Sequence, residues 1–97
     1  MVSLVPAVAP ATEFTAGVVM EKMKEQERYV FVAGIIEGLA MARYAKDQKQ
    51  SQGMQCIYDW FYKSPDTLQT IYAGFQRYPS YPPGTVVHVL TKQKCGE

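Results

Sequence analysis

Apolar residues recur along the chain at the three- and four-residue spacing of α-helices, and polar or proline-rich stretches separate the runs. The longest run lies within residues 27–46 and is apolar on nearly every side, which is typical of a helix buried among several partners. The clearest single face has the spacing i, i+3, i+4, i+7 and consists of Leu68, Ile71, Tyr72 and Phe75. The pattern therefore predicts several packed helices.

Two start signals set expected helix boundaries. Thr12 is a candidate N-cap for a first helix over residues 12–25. The sequence Ser64-Pro65-Asp66 predicts another helix start, because a capping hydroxyl precedes a proline at the first helical position and an acid in the first turn. A polar connection over residues 47–53 follows the core run.

The secondary structure of two segments, helix or strand, is not decided by the sequence. Residues 54–62 have helical spacing, but their aromatic and branched composition also permits a strand. At least two of Trp60, Phe61 and Tyr62 are expected in the core. Residues 85–94 could form a strand or a short helix that begins at Pro83, and periodicity alone does not decide.

The core run also contains a stripe of small residues. Gly34, Gly38 and Ala42 recur every four positions, and a glycine inside a helix costs up to about 1 kcal/mol, so we expect a packing role in which another backbone approaches closely. Arg43 is expected to pair with Asp47 four residues later. Glu37 either occupies the solvent edge or lines a groove or dimer contact.

Composition excludes two classes of function. The chain has 97 residues, the size of one domain, and a formal net charge of +1. A general nucleic-acid binder would carry a surplus of Lys and Arg, so no nucleic acid is expected as a partner. No apolar run approaches the roughly 20 residues of a membrane helix, so no membrane insertion is expected.

Cysteine usage bears on the compartment. Cys56 and Cys95 are the only two cysteines, and an even pair in so short a chain is most simply interpreted as one disulfide in an oxidising compartment. Two thiols in a cytosolic protein are the alternative. Residues 1–11 form a small apolar tract with two prolines, which predicts either an extended N-terminal arm or the remnant of a signal peptide.

Three pieces of the chain, taken in order, resemble a known family. They are the segment Phe31–Gly38 with the helix after it, then Cys56, then Phe75–Pro79 followed by an apolar segment that ends at Cys95. This arrangement is similar to the Rap/Tai group of type VI secretion immunity proteins, small helical proteins of the bacterial periplasm. Val32 occupies a position where that family usually has a further cysteine.

The resemblance carries several expectations. It implies that Cys56 pairs with Cys95, that residues 84–94 are helical and that the protein is periplasmic. The expected fold is all-α, a compact bundle of four to five helices with one disulfide, and residues 12–97 form the single helical domain. Members of the group bind and block peptidoglycan amidases, so the resemblance implies a protein partner such as a secreted cell-wall hydrolase.

No residue pattern indicates catalysis. His88 is the single histidine, and we expect it at a surface or half-buried position of the last segment rather than as a base. One histidine and two distant cysteines match no recognised metal-ligand spacing, and no glycine-rich phosphate loop is present. We therefore predict no catalytic residues, no metal and no cofactor.

The aromatic residues supply the candidate binding surface. Seven of the twelve are tyrosines, and tyrosine is favoured at interfaces because it is amphipathic and stiff. Tyr78 and Tyr81 flank prolines in a loop that also contains Arg77, so ordering that loop on binding would cost little entropy. The predicted protein-binding residues are Tyr62, Lys63, Arg77, Tyr78 and Tyr81. A purely structural role, in which the loop closes the cysteine-bounded half against the core, is the alternative.

These observations lead to two hypotheses for the function of the protein. The leading hypothesis is a small periplasmic protein-binding domain that acts as an immunity factor or inhibitor. The alternative is a periplasmic stress or folding helper, similar in architecture to the small acid-stress chaperones of the HdeA type. A homodimer is compatible with either.

Overall fold

Residues 14–97, the part of the chain that the computed structural model describes, form five helices and no strand. The helices are α1 (Ala16–Lys22), α2 (Glu25–Lys46), α3 (Gln52–Lys63), α4 (Thr67–Arg77) and α5 (Pro83–Cys95). The predicted all-α bundle with one disulfide is confirmed, and both ambiguous segments are helical. The predicted arm, residues 1–11, lies outside the described residues.

The core lies where α2 packs on α3 and where α4 packs on α1 and α5. Its largest fully buried side chains are Val19, Val32, Ile36, Ile71, Phe75 and Val87. The predicted face of α4 is confirmed, because Ile71 and Phe75 are buried while Leu68 and Tyr72 pack against the core at its edge. Trp60 and Phe61 are also buried. Within residues 14–97, none of the helices has the length and apolarity that crossing a membrane requires.

Two predicted helix starts are wrong. Helix α1 begins at Ala16, where the Thr15 hydroxyl accepts a hydrogen bond from the Val18 N–H, and Thr12 lies outside the described residues. Helix α4 begins at Thr67 rather than Pro65, with Asp66 as its N-cap. The buried Thr67 hydroxyl donates to the Trp60 carbonyl, so a tertiary hydrogen bond fixes this boundary.

The break between α1 and α2 has no glycine or proline. Met23 and Lys24 adopt extended backbone there, and the Glu27 carboxylate accepts from the Lys24 N–H to cap α2. The Arg28 guanidinium donates to the carbonyls of Met20 and Met23, at 3.1 and 3.0 Å, and so satisfies the carboxyl end of α1. These contacts hold α1 against the first turn of α2.

A disulfide joins Cys56 in α3 to Cys95 at the end of α5, as the resemblance implied. Arg43 reinforces this junction, because its guanidinium donates to the Cys95 and Gly96 carbonyls at 3.3 and 3.0 Å. The predicted pair with Asp47 is present at 2.8 Å and holds the guanidinium in place. Gly53 lies directly against Arg43, where a Cβ atom would come within 2.4 Å of its Nε.

The small-residue stripe does not pack against any described part of the chain. A packing role for the stripe within the bundle is therefore contradicted. Gly34, Gly38 and Ala42 are all exposed on α2, and a Cβ built at either glycine meets no atom within 4 Å. The physical reason is the orientation of α2, which turns Val32, Ile36 and Ala40 into the core and the stripe away from it. Packing by another molecule stays a prediction.

The contrast between these glycines gives a stability prediction. Gly34→Ala and Gly38→Ala should each raise the free energy of unfolding by about 0.5–1 kcal/mol, because alanine favours the helix and meets no steric obstacle. Gly53→Ala is the matched control and should destabilise the fold, because its methyl group would displace Arg43. Urea unfolding at low protein concentration measures the free energy of unfolding of all three variants. A change of the same sign in all three would contradict the assignment of Gly34 and Gly38 to the exposed face of α2.

Removal of the disulfide gives a second prediction. The bond closes a sequence separation of 39 residues. In the chain-entropy model such a loop stabilises the fold by about 4 kcal/mol, so Cys56→Ala/Cys95→Ala should lose up to that amount. Denaturant unfolding of the oxidised protein and of this double variant measures the difference. An unchanged midpoint would show that Arg43 and the core alone hold α5.

Candidate functional site

The loop between α4 and α5 is fixed by the first turn of α1. The N–H groups of Ala16 and Gly17 donate to the Tyr81 and Pro79 carbonyls at 2.8 and 2.9 Å. Within the loop, the Tyr81 N–H donates to the Tyr78 carbonyl at 3.2 Å. The loop therefore satisfies backbone groups of α1 that have no partner in their own helix, and its shape is set before any ligand arrives.

The rings of Tyr78 and Tyr81 face outward from this fixed backbone. They are 46% and 51% exposed and meet edge to face, with ring centroids 5.8 Å apart. The loop backbone therefore makes structural contacts with α1, and its two tyrosine rings remain exposed. Their role in protein binding stays a prediction.

An apolar groove of about 260 Å³ runs beside the two rings, between α4 and α5. Its wall on α5 includes Val89, which is 49% exposed, and Leu90. Gly74 forms part of the α4 side, and a Cβ atom there would come within 3.0 Å of Val86 Cγ1. The lack of a side chain at Gly74 lets α5 approach α4 closely and sets the depth of the groove.

Arg77 adjoins the groove without lining it. Its guanidinium carbon lies 5.7 Å from the centroid of the Tyr78 ring, within the range of a cation–π contact. This places a positive charge at the rim beside an otherwise apolar surface.

The other two predicted binding residues lie elsewhere. Tyr62 and Lys63 end α3, and no hydrogen bond, ion pair or aromatic contact between described residues joins them to the loop of Tyr78 and Tyr81. Lys63 pairs with Asp59 at 3.4 Å and is well exposed. The Gln55 amide and then the Lys63 ammonium hold the pKa of Asp59 below its usual range. The single predicted surface is therefore two surfaces.

Glu37 orients a tyrosine pair on α3. Its two carboxylate oxygens accept hydrogen bonds from Tyr58 and Tyr62 at 2.9 and 3.1 Å, and the two rings stack with centroids 6.2 Å apart. Glu37 is exposed, which agrees with the first of its two predicted positions, the solvent edge of the helix. The hydrogen bond to Glu37 raises the pKa of Tyr58, whereas burial is the larger cause of the raised pKa of Tyr62, followed by Glu37.

His88 lies at an exposed position of α5, as expected. It borders a hollow of about 380 Å³ together with Arg43, Lys46 and Lys92, and its ring makes no hydrogen bond or ion pair with another described residue. Cys56 and Cys95 are bonded to each other. In residues 14–97, no three residues among His, Cys, Asp and Glu come together as metal ligands would.

The groove wall on α5 was not predicted from the sequence. Val89 and Leu90 lie in the segment that periodicity left open between strand and helix. The only available signal was Pro83, because a helix that starts there places residues 86, 89, 90 and 93 on one side.

The Glu37 cluster predicts a change in tyrosine titration. Glu37→Gln should lower the pKa of Tyr58 toward its ordinary value of about 10, because the charge that favours the neutral phenol is removed. The pKa of Tyr62 should fall less, since burial remains. A tyrosine whose pKa is higher in the folded than in the unfolded protein stabilises the fold while it is protonated, and this stability is lost as the pH rises above the unfolded pKa. The wild type should therefore lose more stability above about pH 10 than Glu37→Gln.

NMR titration of the tyrosine ring signals measures this change, and Glu21→Gln is a matched exposed control. An unchanged Tyr58 titration in Glu37→Gln would contradict the hydrogen bonds described above.

Comparisons of the chain with protein-family models, with curated proteins and with solved structures gave no match. The resemblance to the Rap/Tai group stays a prediction.

Proposed function

We propose that this chain is a protein-binding domain and that the groove beside Tyr78 and Tyr81 holds a side chain of its partner. The observation that carries the proposal is the pair of half-exposed tyrosine rings, held over an apolar groove by backbone hydrogen bonds to α1. Tyrosine contributes large contact area with few rotatable bonds, and it is enriched among residues that dominate binding energy.

The size of the groove favours a protein side chain over a small-molecule ligand. Its volume of about 260 Å³ is below the roughly 300–1,000 Å³ typical of pockets that enclose drug-sized ligands. An apolar side chain of a partner would fit within it, and the tyrosine rings would cover the contact. Because the loop is already ordered, little conformational entropy is lost on binding.

The disulfide supports a location outside the reducing cytosol. Disulfides persist in secreted and periplasmic proteins, whereas cytosolic thiols are kept reduced. Together with the resemblance to the Rap/Tai group, this supports the bacterial periplasm. A peptidoglycan amidase is then the proposed partner, and its inhibition is the proposed role.

The test is a titration of this protein into a peptidoglycan amidase encoded beside its own gene, with hydrolysis and binding measured together. Tyr78→Ser and Tyr81→Ser should each weaken binding by about 30-fold or more, the loss expected for a dominant interface residue. Tyr62→Ser is the matched control, because Tyr62 is 50% exposed but lies on α3 away from the groove.

The outcomes separate the two candidate roles. Groove-dependent binding without inhibition would support the binding domain and contradict the inhibitor role. Suppression of aggregation of unrelated unfolded proteins, unchanged by Tyr78→Ser and Tyr81→Ser, would instead favour the stress helper. Equal affinity of Tyr81→Ser and Tyr62→Ser for the amidase would contradict the groove.

A further inference from the structure

The excess positive charge of residues 14–97 lies on the two helices that form the groove. Residues 67–95, which comprise α4, the loop after it and α5, contain three basic residues and no acid, whereas residues 14–66 contain seven basic and seven acidic residues. The three basic residues, Arg77, Lys92 and Lys94, are all exposed. An acidic group that approaches the groove is therefore attracted by α4 and α5 and is not repelled by an acid on either helix.

Arg77 differs from the other two arginines in having no hydrogen-bonded partner. Arg28 and Arg43 each donate to two backbone carbonyls and contact an acid. The Arg77 guanidinium forms no hydrogen bond or ion pair with any of residues 14–97, and its described contact is the one with the Tyr78 ring. Its five N–H donors are therefore not engaged by the described part of the chain.

The groove itself contains no charged group. Its lining consists of apolar and neutral polar residues, so it accepts an uncharged side chain and leaves any charge of the ligand at the rim. The Tyr78 ring lines the groove, and its centroid lies 5.7 Å from the guanidinium carbon of Arg77. Successive Cα atoms are about 3.8 Å apart, so an apolar residue in the groove and an acid one or two positions away reach both places.

We propose that the partner presents an apolar side chain to the groove and, one or two residues away in the same segment, a carboxylate to Arg77. This inference rests on the proposed function and specifies the chemistry of the segment that the groove binds. The planar guanidinium donates two parallel N–H bonds to the carboxylate, a geometry that a lysine does not provide. The contact with Tyr78 keeps the guanidinium beside the groove.

The two contacts divide the work of recognition. Burial of the apolar side chain supplies affinity, because it removes apolar surface of both molecules from water. The ion pair at the exposed rim adds less affinity, but it accelerates association and selects an acidic segment over a neutral or basic one. Binding should therefore weaken as the ionic strength rises.

A peptide selection tests this chemistry independently of any amidase. The probe is a phage-displayed library of random dodecapeptides, selected on the oxidised full chain and depleted of peptides that also bind Tyr81→Ser. The recovered peptides should carry an apolar residue with Asp or Glu one or two positions away, more often than the unselected library. Fluorescence polarisation of the synthetic peptides then measures their affinity.

A double-mutant cycle measures the ion pair. Arg77→Gln, and replacement of the peptide's acid by its amide, should each weaken binding by about threefold to tenfold, and both changes together should weaken it little more than either alone. Arg77→Glu should weaken binding at least tenfold, and a lysine in place of the peptide's acid should restore part of that loss. Lys63→Gln is the matched control, because Lys63 is also an exposed cation in the last turn of its helix but lies on α3.

The outcomes distinguish failure of this inference from failure of the groove. Peptides that depend on Tyr81 but show no preference for an acid would overturn the ion pair and leave the groove as a binding site. Additive losses in the cycle, or equal losses from Arg77→Gln and Lys63→Gln, would overturn the ion pair in the same way. A selection that yields no peptide dependent on Tyr81 would overturn the groove and the ion pair together. Circular dichroism of each variant should match the wild type, since both basic residues are exposed.

Discussion

The position of α5 depends on the junction at its last residue, and the rest of the structure depends on the position of α5. The bond from Cys95 to Cys56 ties the helix to α3, and Arg43 ties the following carbonyls to α2. Arg43 is itself oriented by Asp47 and has room because residue 53 is glycine. Val87 of α5 is fully buried, and Val89 and Leu90 form a wall of the groove. The junction therefore stabilises the core and shapes the candidate site at the same time.

The opposite end of α5 is positioned by a different mechanism. Helix α1 is only seven residues long, and its first N–H groups are satisfied by carbonyls of the loop that leads into α5. A helix this short is marginal alone, so α1 and the loop stabilise each other through those bonds and through the buried Ala16 and Val19. The same bonds fix the backbone that carries the half-exposed Tyr78 and Tyr81.

Sequence periodicity predicted what depends on local spacing. The face of α4, the apolar run of α2 and the pair of Arg43 with Asp47 are all set by residues three or four positions apart, and all three are present. The predictions of where α4 begins and which residue caps α1 were wrong, because tertiary hydrogen bonds of Thr67, Ala16 and Gly17 determine these helix starts. The same limit applies to the site. Tyr62 and Tyr78 were predicted to share one binding surface, but their separation and the groove wall on α5 arise from helix packing, which spacing does not encode.

Helix α2 shows the limit of predicting burial from composition alone. Its residues are apolar on nearly every side and were expected to be buried among several partners, but residues 14–97 bury only the side that bears Val32, Ile36 and Ala40. Among residues 14–97, no further helix covers the opposite side of α2. The disulfide adds stability to this one-sided burial of α2 by lowering the entropy of the unfolded chain. Val30 and Met41 remain exposed on that helix, and neither of them lines the groove beside Tyr78 and Tyr81.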